Sequence, residues 1–237
     1  MFAYENLVVI GLCPRNGKPR LNPPTDTRIQ PGDHLIAIAR DNEAIKLSAS
    51  QEPEIDQSAI QISTRAALNP KKFLILGWNW QASTMIEQLD YHVAPGSVAV
   101  IAAETKMIEE EVVQLAQTSK NLSLQFQETD ITECGSVELL VHEAFDQVIL
   151  LSYCVRYDAE QADAIALTVL LHLSDLAQRN SYQFSIASEL ADTRNQQLAT
   201  IARVDDFIVS EQLTSLMLSQ ITENKLFGLI LAELLDA

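Results

Sequence analysis

The segment FLILGWNWQASTMIEQLD, residues 73–90, carries the clearest indication of the fold. Its apolar run at 73–76 predicts a buried strand, and Gly77 stands where that strand would turn into a helix. From Ala82 onward, apolar residues recur every three or four positions, which predicts a helix over 82–91. Thr84 and Glu87 are spaced as a capping box if this helix starts slightly later. The stretch therefore resembles the first unit of a nucleotide-binding sheet.

The glycines that such a turn uses to hold phosphate are largely missing. Gly77 supplies the first glycine of such a turn. The second glycine normally lets the backbone approach a pyrophosphate, and Asn79 stands in its place. The third position needs a small residue, and Ala82 is tolerable there. Glu104 lies 27 residues after Gly77. A carboxylate that binds a ribose hydroxyl usually lies about 20 residues after the glycine motif, so Glu104 is near that position. An exposed acid at a strand end is an equal alternative for Glu104. The candidate ligand-binding residues are Gly77, Trp78, Asn79 and Glu104, and an intact dinucleotide site is disfavoured.

Strands and helices alternate downstream of residue 71. Strands are predicted at 73–77, 97–103, 122–126, 147–151, 182–187 and 206–209. Helices are predicted at 82–91, 107–119, 136–143, 160–179 and 192–202. This alternation predicts a Rossmann-like, doubly wound parallel sheet of six strands over residues 71–210.

A small β-rich module precedes that sheet. Strands are predicted at 7–12 and 34–39, with a hairpin signal at Asn16 and Gly17, because both positions tolerate positive φ. The module spans 1–48, and the polar segment 49–70 is predicted to be a linker. A β module of this size is marginal alone, so it is expected to pack on a partner or on parts missing from the chain.

Composition restricts the partners. The net charge of −16 argues against nucleic acid and against anionic membrane surfaces, which both require an excess of Lys and Arg. No secretory signal or apolar run of membrane-spanning length occurs, so a cytoplasmic location is expected. Cys13, Cys134 and Cys154 lack the spacing of a zinc site or a disulfide framework.

No catalytic motif is present. The sequence contains no P-loop, nucleophile elbow or paired-His metal motif, and His172, on an apolar helix, is interpreted as a satisfied core residue. Glu128, Asp130 and Glu133 are candidate ligands for Ca²⁺ or another hard cation, with solvated loop carboxylates as the alternative. The cofactor is otherwise unknown from sequence.

The C-terminal segment 211–237 is predicted to form a helical pair at a subunit contact in a homo-oligomer. Its apolar residues exceed what one monomer face needs, with core packing as the alternative explanation. The candidate interface residues are Leu213, Leu216, Met217, Leu226, Leu229, Ile230 and Leu234.

Two long segments resemble the cytosolic regulatory region of the CASTOR/POLLUX ion channels. The segment KKFLILGWNWQASTMIEQLDYHVAPGSVAVIAAE is similar to the family's Gly-Trp turn, with its Leu-Asp pair (Leu89, Asp90) and its Ala-x-Gly-Ser element (94–97). The segment FDQVILLSYCVRYDAEQADAIALTVLLHLSDL resembles its Gln-Ala-Asp helix, and the tail VDDFIVSEQLTSLMLSQITENK is similar to its closing strand and helices. The first module resembles the later strands of a TrkA-C domain, above all in its Pro-Gly-Asp-x-Leu element at 31–35.

The resemblance implies an RCK/TrkA-N fold and a non-catalytic regulator stacked in a gating ring at the cytosolic face of a membrane. A membrane pore is then expected upstream on a longer chain, because the sequence begins inside the TrkA-C-like module. The Gly77 turn would act as a rigid corner at a subunit contact, with its tryptophans filling packing space rather than stacking on a cofactor. Two alternatives remain: a nucleotide-dependent oxidoreductase that uses the crevice near Gly77, and a ligand-free assembly scaffold.

Overall fold

The N-terminal module contains two small antiparallel sheets. The computed structural model describes residues 4–5, 7–15, 17–24, 26–39, 46–47, 69–104, 106–153, 157–195, 198 and 206–235. Its first strands are β1 (Tyr4–Glu5), β2 (Leu7–Cys13), β3 (Arg20–Leu21), β4 (His34–Ala39) and β5 (Lys46–Leu47). Strand β2 pairs antiparallel with both β3 and β4, and β1 pairs with β5.

The turn between β2 and β3 lies where the hairpin was predicted. It is closed by the Gly17 N–H, which donates to the Pro14 carbonyl at 3.1 Å. Gly17 is not among the glycines with positive φ, so the predicted reason for a turn here is wrong at this position. Asn16 and most of the predicted linker 49–70 lie outside the described residues.

The six-stranded sheet predicted for the rest of the chain is confirmed. Its strands are β6 (Lys72–Leu76), β7 (Ser97–Ala103), β8 (Leu122–Glu128), β9 (Gln147–Leu150), β10 (Ser185–Leu190) and β11 (Asp206–Val209). They are ordered β11-β10-β9-β6-β7-β8, and every neighbouring pair is parallel. This is the doubly wound Rossmann order, whose topological switch point lies between β6 and β9.

Helices follow the strands with small shifts from the predicted bounds. They are α1 (Ala82–His92), α2 (Glu109–Thr118), α3 (Cys134–Val141), α4 (Ala159–Asn180), α5 (Ser210–Glu223) and α6 (Phe227–Leu235). Of the helix predicted at 192–202, the described part is a 3-10 turn at Thr193–Asn195, and most of the remainder lies outside the described residues. No helix of the described residues has the length and apolarity that crossing a bilayer requires.

Strand β10 begins three residues later than the predicted start at residue 182. Helix α4 ends in a left-handed residue, Ser181 (φ 56°), and the Tyr182 N–H donates to the Ala177 carbonyl at 3.1 Å. Such a C-terminal cap keeps residues 181 and 182 with the helix. The strand can start only after this cap.

Helix α1 starts without the predicted capping box. It begins at Ala82, and the N-cap residue Gln81 makes no capping bond with its side chain. Thr84 and Glu87 therefore lie inside the first turns rather than at the N-cap and N3 positions. Asn79 closes the start of this helix instead.

The sheet separates two apolar cores. Phe73 and Ile75 of β6 pack with Ala82 and Ile86 of α1 on one face. The alternate residues of β6, Leu74 and Leu76, face the second core, which α3 and α4 cover. Because both faces of a doubly wound sheet are buried, β6 reads as a continuous apolar run.

The chain divides into two compact units that differ from the predicted domains. One unit is Arg65–Ser215, and the other combines Met1–Thr64 with Leu216–Ala237. Within the second unit, α6 contacts β3. The β module thus gains a helix from the far end of the chain, whereas the sequence indicated no helix able to close it.

Candidate functional site

Gly77 forms a tight corner at the carboxyl end of β6. Its φ is +88°, and its N–H donates to the Ala102 carbonyl at 2.9 Å. A Cβ at this position would lie 3.0 Å from the Tyr153 ring and 3.1 Å from the Leu151 carbonyl oxygen. Glycine is therefore required by the backbone and by the loop after β9, and no phosphate needs to be invoked for it.

Asn79 occupies the position of the missing second glycine and is buried, with 6% of its surface exposed. Its Nδ2 donates to the Ser152 carbonyl at 3.1 Å and to Glu189 Oε2 at 2.9 Å. Its Oδ1 accepts the Gln81 N–H at 3.0 Å, and its carbonyl accepts the Ala82 N–H at 3.1 Å. Two N–H groups that a pyrophosphate could use at the start of α1 are thus already engaged.

Glu189 is the centre of this polar cluster. Its Oε2 also accepts the Ser152 N–H at 3.1 Å, and its Oε1 accepts the Ser210 hydroxyl at 2.6 Å. One carboxylate therefore connects the β6–α1 turn, the end of β9 and the first residue of α5. We call Asn79, Ser152, Glu189 and Ser210 the Glu189 cluster.

A small, mostly apolar cavity adjoins the Glu189 cluster on the α1 side of the sheet. Its volume is about 210 Å³, below the roughly 300–1,000 Å³ of sites that hold drug-sized ligands. The lining comes from α1 and from β9, β10 and β11, and includes Gln81, Met85, Ile149, Ala187, Glu189 and Ile208. Phosphate chemistry is disfavoured here because the nearby carboxylate is an anion.

The two tryptophans have different environments. Trp78 is partly buried and packs against the α1-side core, as predicted. Trp80 is 78% exposed, so it fills no packing space within this chain, and its packing at a subunit contact stays a prediction. The reason is that Asn79 turns inward toward Glu189, and Trp80 lies in the loop just before α1.

Glu104 lies directly after β7, beside the strand that carries Gly77. It is half-buried, and it has an interaction partner in the structure. Its position at the carboxyl end of the sheet is the predicted one. A ribose-binding role for it remains a prediction.

The acidic candidates at 128–133 are engaged in local bonds. Glu128 lies 3.3 Å from the Lys106 ammonium, and Glu133 accepts the Ser136 hydroxyl at 2.8 Å. The hydroxyl and backbone N–H of Thr132 bond to Asp130 and lower the pKa of its carboxyl. Among the described residues, no group of three or more His, Cys, Asp or Glu side chains is arranged to hold a metal.

The predicted interface residues lie on α5 and α6, except Leu226, which lies in the turn between them, and the described residues of these helices include none that is buried. Leu213, Leu216, Leu229 and Leu234 are each about half exposed. Met217, Leu226 and Ile230 are partly buried. Their role in a subunit contact stays a prediction.

The Leu-Asp and Ala-x-Gly-Ser elements of the first segment turn out to be structural joints. Asp90, at the end of α1, accepts three backbone N–H groups at the start of β8, those of Lys120, Asn121 and Leu122. Burial opposes ionisation here, but these donors outweigh it and lower the pKa of the Asp90 carboxyl. In the second element, Gly96 has φ +90°, and Ser97 Oγ donates to the Ala94 carbonyl and accepts the Lys71 N–H.

The Gln-Ala-Asp element also connects two parts of the chain through a side chain that bonds to backbone N–H groups. Asp163 is fully buried, and it accepts the N–H groups of Ala191 at 2.7 Å and Asp192 at 2.9 Å. It also accepts the Asn195 Nδ2 at 2.7 Å. This carboxylate therefore holds the loop after β10 against the start of α4.

Sequence reasoning missed the partners of Asn79. The one feature of the sequence that could have indicated Glu189 is its charge, because it lies next to the end of an otherwise uncharged strand, SIASEL. Ser152 carried no signal. His172 is half-buried rather than a core residue, and it contacts the Cys134 thiol.

The chain is a distant homologue of the CASTOR/POLLUX ion channels over nearly its whole length, as the resemblance predicted. It is 23% identical over 270 residues to a probable ion channel POLLUX of Arabidopsis thaliana, covering 99% of this chain and 32% of the relative. It is 26% identical over 255 residues to the ion channel CASTOR of Lotus japonicus, covering 92% and 29%. The chain thus spans about a third of the length of these curated relatives.

No family model matches the chain. Among solved structures, the TrkA-N domain of the Escherichia coli inner membrane protein ybaL aligns at 12% identity and TM-score 0.43, covering 65% of this chain and 97% of that one. The human SLO3 gating ring aligns at 13% identity and TM-score 0.42, covering 59% and 24%. The GsuK channel bound to NAD aligns at 14% identity and TM-score 0.40, covering 59% and 21%.

Proposed function

We propose that this chain is a cytosolic regulatory domain of a CASTOR/POLLUX-like ion channel or transporter, of the gating-ring type and without catalytic activity. The observation that carries the proposal is the alignment of 92–99% of the chain with curated ion channels. A bound ion or small molecule would bias two arrangements of an assembled ring. The available energy is the difference in the ligand's affinity for the two arrangements, typically about 1–3 kcal/mol per coupled site.

The geometry of the Gly77 corner is consistent with a structural use. Asn79 takes up the helix N–H groups, and the Tyr153 ring lies against Gly77. A rigid corner of this kind can transmit displacement from the crevice to α5, because Glu189 bonds to both Asn79 and Ser210. That path gives a regulatory domain a physical connection between a ligand site and a subunit contact.

An oxidoreductase using the same crevice is the less favoured function. It would need a pyrophosphate to displace Asn79 and to lie close to the Glu189 carboxylate. Electrostatic repulsion and the loss of the Asn79 hydrogen bonds both oppose this.

Measuring whether the chain assembles through α5 and α6 is the most direct test of the proposed function. Sedimentation velocity of the chain at high micromolar concentration is expected to give a dimer or larger species. Leu213→Glu on α5 should shift it to monomer, since a charge would be buried in the contact. Leu139→Glu is the matched control, because Leu139 is 77% exposed on α3, and it should leave the assembly unchanged. A wild-type protein that sediments as a strict monomer would contradict the proposal.

A further inference from the structure

A thiol and an imidazole from two different helices meet on the surface of the parallel-sheet unit. Cys134 is the first residue of α3, and His172 lies in the middle of α4. The distance from Cys134 Sγ to His172 Nδ1 is 3.3 Å. Cys134 is exposed and His172 is half-buried, so reagents in solution can reach the thiol.

The packing of the two helices holds this pair in place. Val137 and Leu140 of α3 share one buried core with Leu170 and Leu173 of α4. Leu170 and Leu173 flank His172 in sequence, and Val137 and Leu140 follow Cys134 on the same helix, so the core determines the relative position of the two helices. The thiol and the imidazole therefore face each other without any ligand.

We propose that Cys134 is a modification site: a nucleophilic thiol that His172 activates and that forms mixed disulfides with small neutral or cationic disulfides. A nucleophile and a base within hydrogen-bond reach are the arrangement that activates a cysteine. When the imidazole carries its proton on Nε2, Nδ1 accepts the thiol proton. The start of α3 adds a favourable field for the resulting thiolate. This inference does not depend on the proposed channel function.

The exchange balances with a disulfide as the sole co-reactant. The proton moves from Sγ to Nδ1, and the thiolate attacks one sulfur of the disulfide. A new S–S bond forms as the old one breaks, and the departing thiolate takes the proton from the imidazolium. The small disulfide is reduced to one thiol and one protein-bound half, and Cys134 is oxidised.

Neighbouring charges define the reagent class. Glu133 precedes the cysteine, Glu138 lies one turn further along α3, and Asp175 lies one turn from His172 on α4. The chain as a whole carries a net charge of −16. An anionic disulfide is repelled by this surface, whereas a neutral or cationic one is not.

Cys13 provides an internal comparison. It is 4% exposed, and its Sγ faces the carbonyl oxygens of Pro14 and Gly17 at 3.8 and 3.9 Å. A carbonyl oxygen accepts a hydrogen bond but does not take the proton away. Cys13 is therefore expected to react far more slowly than Cys134.

The test is the rate of mixed-disulfide formation with cystamine at pH 7, followed by intact mass and assigned to each cysteine by peptide mapping. Cys134 should react first and about tenfold faster than free cysteine, since an unactivated thiol is only a few per cent thiolate at this pH. His172→Gln should abolish that advantage. His142→Gln is the matched control, because His142 lies at the end of α3 and contacts the Tyr182 hydroxyl rather than a thiol, and it should not change the rate.

Two outcomes would overturn the proposal. One is a wild-type Cys134 that reacts no faster than free cysteine, a result that requires no variant to fold. The other is an equal rate in wild type and in a His172→Gln protein whose circular dichroism spectrum is unchanged. Dithiobis(nitrobenzoate), an anionic disulfide, should lose most of the advantage over free cysteine. If it keeps that advantage, the assignment to neutral and cationic reagents is wrong.

Discussion

At the scale of single residues, the positions that resemble the channel family make close contacts with the backbone of other elements. Asp90 and Asp163 each accept several N–H groups from the start of another element or loop. Gly77 adopts a positive φ where a side chain would meet the loop after β9. These residues preserve the corners of the sheet, whatever the crevice binds.

Gly77→Ala should destabilise the protein by about 1–3 kcal/mol, because alanine is strained at positive φ and its Cβ meets the Tyr153 ring. The free energy of unfolding in urea measures this. Gly135→Ala is the matched control, since a Cβ there meets nothing within 4 Å. In a helix, that change should be neutral or stabilise by up to about 1 kcal/mol. Equal effects at the two glycines would contradict the account of the corner.

Asp90→Asn should lower stability at pH 7 by about 1–2 kcal/mol, the cost of weakening bonds to a partly exposed charged acceptor. The pKa of Asp90 is lowered in the folded state, so its contribution is present above the unfolded pKa, about 3.9. It is lost as pH falls through the folded pKa. The difference between wild type and variant in urea unfolding should therefore shrink toward zero in strong acid.

Asp175→Asn serves as the control for that measurement. Asp175 pairs with Arg179 at 2.8 Å across one turn of α4, and both side chains are largely exposed. Such a pair contributes about 0.5 kcal/mol or less. A pH-independent difference at Asp90 would show that its charge is not what stabilises the joint.

At the scale of elements, the Gln-Ala-Asp helix depends on one buried carboxylate. Asp163→Asn keeps the side-chain volume. The new NH₂ group, however, is a donor and would face one of the N–H groups that donate to the Asp163 carboxylate. The loss should be about 1.5–3 kcal/mol in urea unfolding, as for a hydrogen bond to a charged group. Asp158→Asn is the comparison at the N-cap of the same helix, where asparagine caps as well as aspartate and little change is expected. Equal losses would argue against a special role for Asp163.

The elements were largely predictable, and the site was not. Apolar runs and helical spacing mark the strands and helices, because a doubly wound sheet buries both faces of its strands. Strand β10 was displaced because the cap at Ser181 cannot be read from apolar periodicity. The partner of Asn79, Glu189, lies 110 residues away. Local spacing carries no information on such a pairing, so only the replacement of glycine by Asn79 was visible.

At the scale of the whole molecule, the two units make different contributions to the proposed function. The parallel-sheet unit holds the Glu189 cluster, and the other unit holds the larger part of α5 and all of α6. Leu216 lies at the division of the chain between them, within α5.

NAD(H), NADP(H), ATP and ADP should each shift the melting temperature by less than about 1 °C at millimolar concentration, since a ligand stabilises appreciably only when its concentration exceeds its dissociation constant for the folded state. The reason is that Asn79 already engages the N–H groups of Gln81 and Ala82 at the start of α1, and the Glu189 carboxylate bonds to Asn79. Differential scanning fluorimetry with and without each nucleotide measures this. A shift of several degrees in the wild-type protein with any of these nucleotides would instead favour the oxidoreductase.

The central position of β6 has a consequence for synthesis on the ribosome. This strand is the first of its sheet to emerge, yet one of its two neighbours, β9, is completed only at Leu150. During that interval an apolar strand exposes an unpaired edge, on which other nascent chains can add. Translation through residues 77–146 is therefore the period in which a holdase chaperone would improve the yield of this protein most.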